Sequence, residues 1–304
     1  MNKVLMQGNR VIGEAAIRAG CRFYAGYPIT PQNELTALKQ EGISSLAADE
    51  LPAVIVNIMR GGPGLGKILP SQGDYFQATR GGGHGDYRTI VLAPASVQEL
   101  ADLTMDAFNL ADQYRNPVMI LADGMMGQMM EPVTFKKPKP RQYQECYILK
   151  GAGQGRSKFI RSLILDAIRM EEHNWKLFRK YQVITKREIR YETFKTEDAK
   201  LLIVAYGTAA RIAKGAIKRA RERGIKVGLI RPITLWPFPS EVIRKFSGTV
   251  ETFIVFEMNT GQMLEDVRLA LNGTGCVHFY GRPGGVIPTP VELTKVIEQH
   301  AKKS

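Results

Sequence analysis

Pro52-Ala53-Val54-Ile55-Val56-Asn57-Ile58-Met59-Arg60-Gly61-Gly62-Pro63-Gly64 is the stretch that decides the fold. An unbroken apolar run that ends in Gly and Pro is typical of a strand buried on both faces of a parallel sheet. Ligands of open α/β sheets bind beyond the carboxyl ends of such strands. There, glycines allow the backbone to approach a ligand closely, and Arg60 offers a planar fork that fits a carboxylate. The stretch therefore predicts a central strand that leads into a binding loop.

Similar apolar runs recur along the chain and alternate with helical patterns. Further buried strands are predicted at Thr89–Leu92, Pro117–Ala122, Leu201–Tyr206, Lys226–Ile230, Thr252–Glu257 and Val277–Tyr280. Helices are predicted at Asn9–Ala19, from Ser96 with a capping box to Glu99, from Gly207 to Arg223, and at Gly261–Asn272. Strands that alternate with helices indicate an α/β fold with mostly parallel sheets.

Composition divides the chain of 304 residues into three parts. Residues 1–135 are predicted to form one α/β domain, and residues 199–304 a second, smaller one. Between them, residues 136–198 are rich in Lys, Arg and Glu. They are predicted to form a connection that contains an amphipathic helix near Ser162–Tyr181.

The net charge of +13 favours anionic partners. The basic residues are spread out, however, and between Arg187 and Lys200 they are interleaved with acidic ones. This pattern is typical of a solvated surface, and no nucleic-acid-binding motif accompanies it. We therefore expect no nucleic-acid partner.

The three cysteines, Cys21, Cys146 and Cys276, are far apart and include no CxxC. Neither an Fe–S cluster nor a zinc site is expected in this chain. No apolar run reaches the roughly 18 residues of a membrane helix, and the N-terminal residues lack the apolar core of a signal peptide. We expect a cytoplasmic location without membrane contact.

A second candidate loop, Tyr27-Pro28-Ile29-Thr30-Pro31, follows a short strand predicted at Cys21–Gly26. Thr30 suits an N-cap, and its hydroxyl would lie at a helix N-terminus, where anions are favoured. A third loop, Gly81-Gly82-Gly83-His84-Gly85-Asp86, carries a histidine that titrates near neutral pH. On pattern alone, each residue also has a structural interpretation: Thr30 as a simple cap, Arg60 as an ion-pair residue and His84 as an exposed side chain.

Taken together, these stretches resemble the alpha subunit of the 2-oxoacid:ferredoxin oxidoreductases. The stretches that carry the resemblance, in order, are Gly20–Pro31, Asn57–Gly64, Gly73–Ala78, Gly81–Asp86, Leu121–Gly124, Arg231–Pro239 and Glu257–Met263. Such a resemblance implies a pyrimidine-type thiamine-diphosphate-binding domain, followed by a domain like the C-terminal one of transketolase.

The resemblance also implies a composite site. Thiamine diphosphate would lie between this chain and a beta subunit, against Tyr27, Pro28, Ile29, Gly61 and Gly62. Thr30 would face the reacting centre as a catalytic residue and, with Arg60, bind the 2-oxoacid. The chain lacks a Gly-Asp-Gly…Asn motif for Mg²⁺ and the cysteine clusters of Fe–S centres, so partner chains are expected to hold both, and gamma and delta subunits and ferredoxin are expected among the partners.

One departure from the family lies between Ala37 and Lys39. The family carries several tens of residues there, including a strand and the glutamate that activates the cofactor, whereas the flanks join directly here. Either the subunit is truly shortened and defective, or the sequence omits a disordered loop of the intact protein. We favour the second interpretation, because a missing strand would leave a sheet edge unpaired. The role of the glutamate is transferred to no residue.

The implied activity is oxidative decarboxylation of a 2-oxoacid with coenzyme A as acyl acceptor and ferredoxin as electron acceptor. Either 2-oxoglutarate or a branched-chain 2-oxoacid fits as the substrate. The sequences of Gly62–Gly66 and Gly127–Pro132 resemble the branched-chain branch of the family and so favour the second. Two alternatives stand beside it: a non-catalytic, basic α/β module that binds nucleic acid, and a stand-alone thiamine-dependent transferase.

Overall fold

The computed structural model describes residues 3–25, 40–137 and 160–302. Its strands are β1 Val4–Gln7, β2 Ala53–Gly61, β3 Lys67–Pro70, β4 Ile90–Leu92, β5 Pro117–Asp123, β6 Met130–Val133, β7 Tyr191–Phe194, β8 Leu201–Val204, β9 Val227–Pro232, β10 Thr234–Trp236, β11 Thr252–Glu257 and β12 Cys276–Gly281. Its helices are α1 Gly8–Arg18, α2 Gln40–Ala48, α3 Tyr75–Thr79, α4 Val97–Tyr114, α5 Gly124–Gln128, α6 Ala167–Arg187, α7 Gly207–Glu222, α8 Ser240–Phe246, α9 Gln262–Leu271 and α10 Pro290–Ala301.

Two five-stranded sheets organise the described residues, with the orders β10-β4-β5-β2-β3 and β12-β11-β8-β9-β7. In the first sheet, β5 pairs in parallel with β2 and with β4, while β3 and β10 are antiparallel edge strands. In the second sheet, β12, β11, β8 and β9 are parallel and only β7 is antiparallel. The predicted α/β class with mostly parallel sheets is confirmed.

The apolar runs of the sequence form the centre of both sheets. Every residue of β5, β8 and β11 is buried, as expected for strands covered on both faces. One apolar cluster joins the sheets, because Met59 and Leu121 of the first lie in the same core as Leu202 and Val204 of the second. This core contains residues of both predicted domains. The domain boundaries at residues 135 and 198 therefore stay a prediction.

Helix α4 begins as its sequence indicates. The Ser96 side chain accepts a hydrogen bond from the backbone N–H of Glu99. The Glu99 carboxylate, however, accepts from the N–H of Ala95 and forms two hydrogen bonds of 2.8 Å with the guanidinium of Arg231. The capping glutamate thus also ties this helix to β9 of the other sheet.

Several local predictions are wrong. Residues 21–25 form no strand, and Phe23 is left 83% exposed. Helix α1 starts one residue before Asn9, which lies buried inside it, because β1 leads directly into the helix. The predicted Ser162–Tyr181 helix runs instead from Ala167 to Arg187, and Asp166 caps it.

The elements that were not predicted include β10 and α10. The turn-rich stretch after Arg231 contains β10, whose Thr234 pairs with Leu92 in the first sheet. Helix α10 begins with a capping box in which the side chains of Thr289 and Glu292 bind each other's backbone N–H groups. No described helix is both long and apolar enough to cross a membrane.

Candidate active site

The Arg60–Gly66 loop lies at the carboxyl end of β2, where the sequence places it. Arg60 pairs with Pro70 and Gly61 with Lys67, so that β3 holds the start of the loop. Gly66 has a φ of +47°, and a Cβ there would lie 1.9 Å from the Gly61 carbonyl oxygen. The turn therefore requires glycine at position 66.

Two glycines of the loop have different surroundings. A Cβ on Gly61 would come within 3.0 Å of the Gly284 backbone, so Gly61 allows close packing of this loop against the second half of the chain. A Cβ on Gly62 would meet no atom of the described residues within 4 Å. Gly62 thus has open space beside its backbone, as a residue that approaches a ligand requires, whereas Gly61 packs against Gly284 and its predicted contact with the cofactor stays a prediction.

Arg60 is partly buried. Within the parts of the chain that the structure describes, its guanidinium makes no ion pair or hydrogen bond. Other partly buried arginines differ: Arg190 pairs with Asp106 and Glu188, and Arg282 pairs with Glu292. Because a partly desolvated cation is stabilised by an anion, Arg60 is suited to a ligand carboxylate.

The remaining predicted site residues have different outcomes. Tyr27, Pro28, Ile29 and Thr30 lie outside the described residues, so their roles stay predictions. In the third loop, the N–H groups of Gly82 and Gly83 both donate to the Tyr87 hydroxyl at 3.0 Å, and His84 is exposed. The structural interpretation of that loop is therefore the better supported one.

Behind the binding loop lies a buried polar seam that the sequence did not predict. Gln72 is fully buried, and its side chain donates to the Tyr206 carbonyl and accepts from the Met258 N–H, each at 3.0 Å. Its backbone carbonyl accepts from Asn259 Nδ2 at 2.8 Å. The segment that follows β3 is thereby fixed to the end of β11.

Two of the stretches that carry the family resemblance meet in this seam. The Tyr75 hydroxyl donates to Asp266 at 2.5 Å, and the Phe76 N–H donates to Gln262 Oε1 at 2.7 Å. Gln262 in turn donates to the Gly73 carbonyl. The stretches Gly73–Ala78 and Glu257–Met263 therefore contribute residues to one and the same contact between the two halves of the chain.

Glu257 lies at the centre of the seam with no exposed surface. Burial raises its pKa to about 7, although the N–H groups of Met263 and Leu264 and the amide of Asn259 donate to it. At the end of β5, burial also raises the pKa of Asp123, which caps α5 by accepting from Met125 and Met126. Their contacts identify both carboxyls as groups that order helix starts.

An exposed apolar surface borders the binding loop, and we call it the apolar rim. Its residues are Leu65, Ile68, Leu69, Val286 and Ile287, all more than a third exposed. The part of the rim formed by Leu65, Ile68 and Leu69 adjoins the part formed by Val286 and Ile287. Gly285 packs so closely on Leu69 that a Cβ on Gly285 would lie 2.8 Å from the Leu69 Cβ. Exposed apolar surface beside a loop of this kind is typical of a protein interface. Among the described residues, no group of three or more His, Cys, Asp or Glu side chains is placed to hold a metal ion.

Two family profiles match the chain in order. Residues 36–198 match the thiamine-diphosphate-binding region of the pyruvate flavodoxin/ferredoxin oxidoreductases. Residues 199–293 match core domain II of pyruvate:ferredoxin oxidoreductase. The first match begins at residue 36, next to the Ala37–Lys39 junction at which the sequence departs from the resemblance.

Full-length relatives agree with the profiles. The chain is 43% identical to the ketoisovalerate oxidoreductase subunit VorB of Methanothermobacter marburgensis, over 99% of this chain and 98% of the relative. It is 33% identical to the 2-oxoglutarate synthase subunit KorA of Methanocaldococcus jannaschii, over 98% and 100%. The first alignment extends over 349 positions, more than the 304 residues of this chain, so the relative carries residues without a counterpart here.

A solved structure shares the fold. The 2-oxoglutarate:ferredoxin oxidoreductase from Magnetococcus marinus matches 99% of this chain with a TM-score of 0.84 and 23% identity. This chain spans 65% of the length of that one. Because the profiles cover most of the sequence and the relatives match from end to end, the chain belongs to the pyruvate flavodoxin/ferredoxin oxidoreductase family, as a subunit of the 2-oxoacid oxidoreductase type.

Proposed function

We propose that this chain binds the carboxylate of a 2-oxoacid in a coenzyme A-dependent 2-oxoacid:ferredoxin oxidoreductase. The observation that carries the proposal is the partly buried Arg60, which has no anionic partner in the described part of the chain. It lies at the carboxyl end of a central parallel strand, the usual place for a ligand in this fold class.

Thiamine diphosphate, when bound, supplies the carbanion chemistry that decarboxylation requires. The open space beside Gly62 fits the approach of such a ligand to the backbone, because a methyl group there would meet no described atom. The role of this chain is then to orient: Arg60 directs the carboxylate, and Gly62 allows close approach. Placement of the cofactor against Tyr27, Pro28 and Ile29, and of Thr30 at the reacting centre, belongs to this proposal.

The apolar rim supports a composite site. A beta subunit that covers Leu65, Ile68 and Leu69 would exclude water from the pocket and complete it. We assign Mg²⁺ and the Fe–S clusters to partner chains, including the proposed beta, gamma and delta subunits, and ferredoxin to the electron-accepting role. Coenzyme A is the proposed acyl acceptor, in line with the solved relative, whose structure contains coenzyme A and succinyl-CoA. Inactivity of the isolated chain follows from this proposal, and the cytoplasmic location stays a prediction.

For the substrate we propose a branched-chain 2-oxoacid. The higher identity to the ketoisovalerate oxidoreductase subunit, 43% against 33% for the 2-oxoglutarate synthase subunit, supports this choice. Turnover of 2-oxoglutarate in preference to 2-oxoisovalerate by the assembled complex would reverse it and leave the role of Arg60 intact.

Replacement of Arg60 tests the proposal. In the complex co-expressed with its partner chains, Arg60→Ala should raise the KM for the 2-oxoacid about 30- to 150-fold, because a charge-assisted hydrogen bond contributes about 2 to 3 kcal/mol. The kcat should change far less, and Arg60→Lys should recover part of the affinity. Arg268→Ala, at an exposed arginine of α9, is the matched control. Unchanged KM and kcat in Arg60→Ala would remove this residue from the site.

A further inference from the structure

Strand β12 forms one edge of the second sheet and has an open outer side. It is the last strand in the sheet order, and within the described residues it pairs only with β11. No residue of β12 is buried, whereas every residue of β8 and β11 is buried. Parallel strands are normally covered on both faces, so β12 is unusual for this fold class.

The backbone groups of β12 point alternately toward β11 and away from it. The N–H groups of Cys276 and Arg282 donate to carbonyls on the β11 side, at 2.6 and 3.1 Å. Because alternate residues of a strand direct their backbone groups to opposite edges, the even-numbered residues bond to β11. The backbone groups of Val277, Phe279 and Gly281 therefore point outward, and no described residue bonds to them.

The other edges of the two five-stranded sheets are protected. β3 begins with Lys67 and ends with Pro70, β10 has three residues and is followed by Pro237, and β7 is followed by Lys195. Short strands, lysines and prolines of this kind hinder the addition of a further strand. β12 has six residues and contains neither a proline nor an Asp, Glu, Lys or Arg side chain. Its edge is therefore open to an added strand.

Phe279 provides an apolar anchor beside this edge. Its side chain is 38% exposed. The ring lies over Gly261 and Gly281, since a Cβ on either glycine would meet it within 3.4 Å. A ring that is already held in one position loses little conformational entropy when a partner packs on it. Because side chains that lie opposite each other in neighbouring strands stabilise a sheet, an apolar residue opposite Phe279 is favoured.

The open edge leads into the apolar rim. β12 ends at Gly281, and the chain continues from there to Val286 and Ile287 of the rim. Between them, Gly285 packs on Leu69, the rim residue of β3, so the edge and the rim form one continuous surface. A polypeptide that covers the rim therefore also reaches the edge of β12.

We propose that an extended, uncharged segment of the beta subunit adds to β12 as a sixth strand of the second sheet. The beta subunit is the polypeptide that covers the apolar rim in the proposed function, and the inference rests on that proposal. Backbone hydrogen bonds to Val277, Phe279 and Gly281 provide affinity, and the Phe279 ring contacts an apolar side chain of the added strand. The segment is uncharged because β12 offers no opposite charge to pair with one.

Hydrogen exchange at single amides, compared between the isolated chain and the co-expressed complex, tests the proposal. Val277, Phe279 and Gly281 should exchange quickly in the isolated chain and at least about 100-fold more slowly in the complex, because the added strand accepts their hydrogen bonds. The amides of His278 and Tyr280 face β11, and as internal controls they should be protected in both samples. Fast exchange of the outward amides in the complex would overturn the proposal.

Phe279→Lys gives a second test, because a lysine on an edge strand opposes the addition of another strand. The dissociation constant between this chain and its partner chains should rise at least about 30-fold, as for the loss of an interface anchor. Tyr191→Lys is the matched control: Tyr191 is 46% exposed on β7, the opposite edge of the same sheet, and its replacement should leave the dissociation constant unchanged. Circular dichroism checks that both variants are folded. Equal effects of the two variants would contradict the proposal.

The added strand and the proposed function fail in different ways. A complex that binds thiamine diphosphate while the outward amides of β12 stay unprotected would overturn the added strand and leave the proposed function intact. Protected amides in a complex whose KM is unchanged by Arg60→Ala would remove Arg60 from the site and leave the added strand intact. Protection that grows with the concentration of the isolated chain would assign the edge to a second copy and overturn the proposal.

Discussion

The polar seam and the binding loop lie next to each other and are built on opposite principles. In the seam, Gln72, Glu257 and Asn259 are buried and satisfied by hydrogen bonds from within the chain. In the loop, Arg60 is partly buried without an anionic partner in the described residues, and Leu65 is 89% exposed. The seam residues thus find their hydrogen-bond partners within this chain. The loop needs another molecule to pair with Arg60 and to cover Leu65.

This difference separates stability from function. Changes in the seam should lower the free energy of unfolding, because unpaired buried polar groups cost free energy. Changes in the loop should leave the fold intact and alter binding. The predictions below are ordered by the size of the expected effect.

Gln72→Ala should have the largest effect on stability, a loss of about 4 kcal/mol of unfolding free energy, because it leaves buried groups of Tyr206 and Met258 unpaired and opens a cavity. Chemical unfolding followed by circular dichroism measures the loss. Gln98→Ala is the control: its side chain also makes two hydrogen bonds, both to Thr134, but in a partly exposed place. That variant should lose only about 1 kcal/mol. Equal losses would contradict the contrast.

Glu257 should make stability depend on pH. Its carboxyl has a pKa of about 7 when folded, against 4.5 as the ordinary value. The folded state therefore holds a proton that the unfolded state releases, and this stabilisation is complete below pH 4.5 and lost as the pH rises through about 7. The full loss corresponds to about 3 kcal/mol.

Glu257→Gln should flatten this decline, because the amide does not titrate. Unfolding free energies at about pH 5 and about pH 8 in wild type and variant measure the difference. The control is Glu265→Gln on the exposed face of α9, which should keep the slope of the wild type. A Glu257→Gln variant with the wild-type slope would show that this carboxyl is not the cause.

The smallest stability effect distinguishes the two loop glycines. Gly61→Ala should lose about 1 to 2 kcal/mol, because the new methyl group meets the Gly284 backbone at 3.0 Å. Gly62→Ala should leave the melting temperature unchanged and weaken thiamine diphosphate binding by the assembled complex. Calorimetric melting of both variants, together with cofactor titration, checks the pair. A Gly62→Ala variant that melts earlier but binds normally would reverse the assignment.

Much of the fold was predictable from the sequence, because buried parallel strands are continuous apolar runs. β2, β5, β8 and β11 follow from their composition alone, and Arg60 lies at the strand end where the pattern places it. The glycines of the binding loop were predictable as a group. Their separate roles were not, since only the approach of Gly284 distinguishes Gly61 from Gly62.

The seam was not predictable, because its partners are distant in the chain. Gln72 and Met258 are 186 residues apart, and a lone glutamine is usually a surface residue. β10 was missed for a similar reason. Its three residues lie between prolines and form a strand only because they pair with β4, which is distant in the chain. Local patterns carry no information about such contacts.

The central claim is that the binding loop is half of a pocket completed by another polypeptide. Calorimetric titration of thiamine diphosphate with Mg²⁺ into this chain alone, into the partner chains alone and into the co-expressed complex tests it most directly. The account predicts saturable binding by the complex and none by either part. Tight, magnesium-dependent binding by this chain alone would contradict it.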